Sequence, residues 1–176
     1  MNLKLKGTPG LYLVGFMASG KSTIGRLLAH RLGWSFFDLD AEIEAAEKMT
    51  IAEIFAARGE PEFRRIESAM LEQHVRWIAH GRPAVLALGG GAFVDAANRE
   101  LVLSHGISVW LDCRFEVVER RVAQGSHRPL ARDPRQLAAL YDSRREVYGL
   151  ADMCIAIESD DPAAAVDAIL GHPILR

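Results

Sequence analysis

The stretch Gly15-Phe16-Met17-Ala18-Ser19-Gly20-Lys21-Ser22-Thr23 constrains this chain more than any other, because a GxxxxGK[ST] pattern here follows an apolar run and opens a helical one. A polyphosphate held against backbone needs amide donors, a point charge and a metal ligand within one turn of chain. Gly15 and Gly20 permit the tight curvature and close approach that a side chain would block. The amides of residues 18–23 then point at the phosphates from a helix N-terminus, where the dipole and the unpaired N–H groups favour anions. Lys21 is placed to bridge the β and γ phosphates, and the Ser22 hydroxyl to ligate Mg²⁺. Context agrees on both sides. Residues 11–14 read as a short buried strand, and residues 22–31, with Ile24, Leu27, Leu28 and Leu32 on one stripe, read as a helix.

Further apolar runs recur between helical patterns at residues 36–37, 84–88, 107–111 and 153–157. Short strands that do not alternate suit a parallel sheet covered on both faces, so the expected fold class is α/β, a three-layer sandwich with a five-stranded parallel sheet. The helices between carry legible ends. Thr50-Ile51-Ala52-Glu53 is a capping box heading a short turn with Ile54 and Phe55, stopped at Arg58-Gly59. Pro61 opens a long helix to about His80, with Phe63, Ile66, Met70 and Trp77 on its stripe and Gly81 as its C-terminal cap. Asp161-Pro162 starts the last helix and Gly171 ends it.

At 176 residues, the expectation is one domain spanning 1–176. With 21 basic against 23 acidic residues, the net charge of −2 gives no footprint for nucleic acid or an anionic membrane, so small anions must be bound by local sites. Cys113 and Cys154 lack CxxC or metal spacing and are expected as small core hydrophobes in a reducing cytoplasm. Residues 1–7 lack a leader-like apolar region, no run approaches membrane-spanning length, and a cytoplasmic monomer is the default.

In open parallel sheets, ligands collect beyond the carboxyl ends of the strands. After the second strand comes Asp38-Leu39-Asp40. Either the strand persists and both carboxylates share a face, or, as preferred, Asp40 caps the helix that holds Ile43. After the third comes Gly89-Gly90-Gly91, where a ligand can rest on backbone amides unless the run is an ordinary turn. Val109-Trp110-Leu111-Asp112 ends in a carboxylate read as part of a loop, and Asp38 is preferred behind the waters of Mg²⁺. Arg64 and Glu67, three apart, can pair and aim a guanidinium at an anionic substrate, or form a solvated pair. Residues 124–134, polar and rich in Gly and Pro, suit a cover over the phosphates, with Arg128 reaching the transferring group. Arg120, Arg121, Arg144 and Arg145 are helical and, by pattern alone, read as solvated.

In series, these features resemble the shikimate kinase family along nearly the whole chain: the phosphate loop, Asp38-x-Asp40, Gly59-Glu60 before Phe63-Arg64-Arg65-x-Glu67, the triple glycine, Arg128-Pro129-Leu130, and Arg144 four before Tyr148. The resemblance implies a P-loop nucleoside-monophosphate-kinase-like fold and ATP-dependent phosphorylation of the 3-hydroxyl of shikimate. It implies ATP phosphates on residues 18–23, Mg²⁺ on Ser22 and through water on Asp38, and adenine against Arg121. Shikimate is then held by Asp40, Arg64, Gly90 and Arg144, with Lys21, Asp40 and Arg128 as the catalytic groups. Three departures stand out: Ala18 replaces a usual glycine, which a negative φ would tolerate, Glu146 replaces the usual proline between Arg144 and Tyr148, and Asp160 falls near where the family often has a basic residue on the adenine side. Rival readings are a gluconate or nucleoside monophosphate kinase on the same fold, and a ligand-sensing domain without catalysis. The substrate clamp argues against the first, and retention of Lys21, Ser22, Asp40 and Arg128 against the second.

Overall fold

Residues 10–124 and 134–175 are described by the computed structural model. Their strands β1 (Gly10–Val14), β2 (Ser35–Asp38), β3 (Ala84–Ala87), β4 (Ile107–Cys113) and β5 (Met153–Ile157) form a parallel sheet in the order β2-β3-β1-β4-β5. β1 is central: Leu11 pairs with Val85 on one side and with Ile107 on the other. Every residue of β1 and β3 is buried, which is why these strands read as unbroken apolar runs. Leu13 and Leu86 are fully buried, and truncating either to Ala would cost about 3 kcal/mol.

The helices α1 (Lys21–Leu32), α2 (Leu39–Glu47), α3 (Ile51–Ala79), α4 (Ala96–His105), α5 (Phe115–Gln124), α6 (Pro134–Tyr148) and α7 (Pro162–Gly171) cover both faces. α1 packs on α7 and against β2 and β3, while α3 packs on α4 and reaches β1. Gly25 brings α1 close to the sheet, since a Cβ there would run into Leu13 and Phe36. No helix among the described residues is long and apolar enough to cross a membrane.

The capping box of α3 forms as expected, with Thr50 N–H donating to Glu53 Oε2 at 2.7 Å and Glu53 N–H to Thr50 Oγ1 at 3.2 Å. Gly59, at φ 81° and ψ 168°, breaks the helix before Pro61, so the short turn and the long helix are distinct segments of α3. Gly81, at φ 92°, follows the helix end and donates to the Ile78 carbonyl. The buried stripe differs from expectation. It runs through Phe63, Ile66, Glu67, Leu71, His74, Val75 and Ile78, leaving Trp77 44% exposed. Two polar residues, Glu67 and His74, hold core-facing positions, so counting apolar residues alone rotates the stripe.

Three other expectations are corrected. Asp38, not Asp40, is the N-cap of α2, its Oδ1 accepting from the Ala41 amide at 3.4 Å, because the helix begins at Leu39 directly after the strand, which puts Asp40 inside its first turn. Asp112 lies within β4 and not in a loop, since pairing with β5 continues through Asp112↔Ala156 and Cys113↔Ile157. Cys113 is buried, but Cys154 is exposed because β5 is an edge strand whose alternate residues face outward.

Candidate active site

Gly15 follows β1 with φ 143°, and a Cβ there would come within 2.9 Å of the Leu111 carbonyl oxygen, so the chain can turn here only without a side chain. Gly20, at φ 97°, caps α1 with no side-chain hydrogen bond, which leaves the first amides of the helix open to an anion. Lys21 Nζ curls over the loop and donates to the Gly15 and Phe16 carbonyls, both at 2.8 Å. Ser22 Oγ donates to the Asp38 carboxylate, uniting the start of α1 with the end of β2. Ser19 is fully buried, and its Oγ has no hydrogen-bond partner among the described residues. An all-oxygen pair, Ser22 and Asp38, beside an unpartnered hydroxyl and uncapped amides fits a hard divalent cation with polyphosphate.

Ala18 adopts φ 59°, opposite to the negative angle expected of a methyl-bearing residue in place of glycine. Its carbonyl is held by Arg121 Nη1 of α5 at 2.9 Å, a contact that helps to hold the left-handed backbone. Arg121 also donates to Asp160 at 2.6 Å, and Arg120 reaches the other oxygen of Asp160 at 3.0 Å. Arg121 and Arg120 together hold the Asp160 carboxyl below its ordinary range. Helical charge pattern had marked both arginines as solvated; Arg121 is instead in the loop's own hydrogen-bond network.

Each glycine of the run after β3 abuts a different charged side chain. A Cβ on Gly89 would meet Asp40 Oδ1 at 2.6 Å and Glu67 Oε1 at 2.7 Å; one on Gly90 would meet Arg144 Nη1 at 3.2 Å; one on Gly91 would collide with the Arg64 guanidinium. Gly90 also lies beside the phosphate loop, its Cβ position 3.7 Å from the Met17 amide nitrogen. Thus α2, α3 and α6 each bring one expected residue, Asp40, Arg64 or Arg144, to one turn. Arg64 pairs with buried Glu67 at 2.7 Å and with Glu60 at 3.2 Å. Burial works against the Arg64 charge, but the Glu67 and Glu60 carboxylates outweigh it and raise its pKa. Burial likewise raises the pKa of Glu67, more than Arg64 lowers it, and Glu67 Oε1 has no hydrogen-bond partner among the described residues. Phe55 and Phe63 stack at 4.7 Å beside this cluster.

Arg144 lies over the Phe16 ring at 5.7 Å and hydrogen-bonds the Tyr148 hydroxyl, which donates to the Gly90 carbonyl at 2.5 Å. Burial pushes the Tyr148 phenol up to about 12. Glu146 does not interrupt the geometry, as α6 continues to Tyr148. Arg128, with residues 125–133 of the expected cover, lies outside the described residues. Sequence reasoning paired Glu67 with Arg64 but missed its approach to Asp40; the adjoining Gly89, the one residue without a side chain to separate them, is the signal that could have found it.

The family model for shikimate kinase matches residues 17–172. A shikimate kinase of Ruegeria pomeroyi is 45% identical over 84% of this chain and 75% of its own, and one of Persephonella marina is 39% identical over 92% and 97%. Among solved structures, the shikimate kinase of Acinetobacter baumannii in complex with shikimate superposes with a TM-score of 0.85 at 36% identity, covering 92% of this chain and 90% of that one. Gluconokinase from Sinorhizobium meliloti, at 17% identity and a TM-score of 0.54, shares the fold alone. A phosphate loop, a glycine turn ringed by Asp40, Arg64 and Arg144, and these likenesses agree: the chain belongs to the shikimate kinase family.

Proposed function

We propose that this chain, as a single kinase domain, transfers the γ-phosphoryl group of ATP to the 3-hydroxyl of shikimate, leaving shikimate 3-phosphate and ADP. The observation that carries the assignment of roles is the meeting of Asp40, Arg64 and Arg144 on three successive glycines beside the phosphate loop. Two planar guanidinium forks suit the shikimate carboxylate, and Asp40 suits the ring hydroxyls as an acceptor. The Gly90 backbone completes the seat. The attacking hydroxyl gives its proton to Asp40 as its oxygen bonds to the γ-phosphorus and the bond to the bridging oxygen of ADP breaks.

The β and γ phosphates rest on the amides of residues 18–23. Lys21, already lying over the loop, turns from the Gly15 and Phe16 carbonyls to the phosphates. Ser22 directly, and Asp38 through water, would hold Mg²⁺, which supplies charge neutralisation on the phosphates when bound. Arg121 borders the base, and Arg128 comes from the cover to stabilise the transferring group. Because phosphoryl transfer is chiefly positioning and charge stabilisation, these cations matter more than the strength of Asp40 as a base. A cytoplasmic monomer fits this reading.

The test is ADP release in a coupled assay with ATP and Mg²⁺. Release that depends on shikimate, and not on gluconate or nucleoside monophosphates, is the expected result. Release without an acceptor, or dependent on one of the other acceptors, would remove the assignment.

A further inference from the structure

Of the described residues of α6, Leu137, Tyr141 and Tyr148 are buried, and Leu140 and Val147 pack partly buried against the core. Beside this apolar contact lies a polar attachment centred on Arg145. Its guanidinium meets both oxygens of Asp112 on β4, Nη1 to Oδ1 at 2.5 Å and Nη2 to Oδ2 at 2.9 Å, and Nη1 also donates to the Tyr141 hydroxyl at 2.7 Å. That hydroxyl donates in turn to the Cys113 carbonyl at 2.7 Å. The guanidinium also lies over two rings, Trp110 at 5.0 Å and Tyr141 at 5.4 Å. A two-pronged fork fixes a plane as well as a distance. The gap beside it, lined by Phe16, Trp110, Tyr141 and Tyr148, is about 10 Å³, room for no more than one water.

Arg144 is the next residue round the same helix, turned by about 100° from Arg145. Its guanidinium reaches Gly90 and Phe16, and Tyr148, one turn on, holds the Gly90 carbonyl. One face of α6 is therefore bolted to β4, and the adjoining face supplies the pocket. We infer that Arg145 and Asp112 are positioning residues for the kinase reaction: their fork sets the rotation and height of α6, and thereby the point at which Arg144 meets the carboxylate of the acceptor. The inference rests on the reading of Arg144 as a shikimate ligand. An ordinary half-exposed ion pair would contribute little and touch binding not at all; a fork that aims its neighbour makes binding depend on the fork's shape.

The experiment is a kinetic cycle on the full chain with Arg145→Lys, Asp112→Asn and Arg144→Ala, singly and combined. Lys keeps the charge of Arg145 but not its two prongs. Arg145→Lys should raise the KM for shikimate about tenfold, with kcat and the KM for ATP within about twofold, since a displacement of the order of 1 Å is costly at a positioned group. Asp112→Asn should do the same. In the Arg144→Ala background, either substitution should change that KM by less than about twofold, because the group being aimed is gone. Equal factors in both backgrounds, an unchanged KM with only a lower melting temperature, or an effect confined to kcat would each overturn the inference. Should Arg145→Lys lose its cooperative melting transition, Asp112→Asn carries the same cycle. An unchanged shikimate KM in Arg144→Ala alone would remove the ligand reading itself, which is a separate result.

Discussion

The phosphate loop and the triple-glycine pocket both face anions, yet they are built in opposite ways. The loop draws its curvature, its amides, Lys21 and Ser22 from consecutive residues, and its shape is that of a backbone held by Gly15, Gly20 and the start of α1. The pocket draws Asp40, Arg64 and Arg144 from three helices, and its shape is that of side chains packed against a turn with none. A site made of contiguous backbone has little freedom to fall apart. One assembled from distant side chains depends on every element that carries them, so substitutions there should disturb stability and affinity together, whereas in the loop the two should separate.

The largest expected effect tests the separation at the loop. Lys21→Met should lower kcat by about three orders of magnitude, the loss typical of removing a preorganised charge at a reacting group. Its melting temperature should stay near that of the parent, as the ammonium donates to carbonyls of its own loop, Gly15 and Phe16. Substantial turnover, or a marked loss of stability, would erase the contrast. Arg64→Ala comes next, raising the KM for shikimate about a hundredfold and also lowering the melting temperature, because Glu67 is left buried without its partner. Unchanged affinity would return Arg64 to a structural pair.

Gly89→Ala should cost about tenfold in kcat/KM for shikimate with the KM for ATP unaltered, since the new methyl must displace Asp40 and Glu67. An equal effect on both substrates would mean that loop and pocket are one unit. The smallest effect concerns pH. Burial raises the pKa of Glu67 in the folded protein, so the folded state holds that proton more tightly than the unfolded chain does. Its cost to stability is present at high pH and lifts as pH falls through the raised value. In thermal melts as pH falls from neutrality toward the ordinary carboxylate range, the parent should gain stability relative to Glu67→Gln; no gain, or a loss, relative to that variant would contradict the burial of this charge.

The same contrast explains what was legible in the sequence. The phosphate loop, the capping box at Thr50 and the order of strands and helices are local signals, each carried by a few adjacent residues, and they recur in the structure. The capping role fell to Asp38 and not Asp40 because the helix begins directly after the strand, and no local propensity fixes that boundary. The stripe of α3 was misplaced toward Trp77 because Glu67 and His74 are polar residues buried by tertiary partners. Arg145 read as one more solvated charge, since its counterpart Asp112 lies on a strand far away in sequence. Asp40, Arg64 and Arg144 were brought together with Gly90 only through resemblance to a family, since nothing in their spacing says that three helices will meet at one turn.

The central position of β1 bears on how the chain comes to be folded at all. Gly10 pairs with Ala84 in β3 and Leu11 with Ile107 in β4, so β1 has no partner on one side until residues 84–87 have followed it, and none on the other until residues 107–110 have. Closing such long loops is slow compared with assembling helices, and until then the run Leu11-Tyr12-Leu13-Val14 is an unpaired apolar segment. The strand whose end shapes the phosphate loop is thus also an apolar segment open to aggregation until β3 and β4 follow.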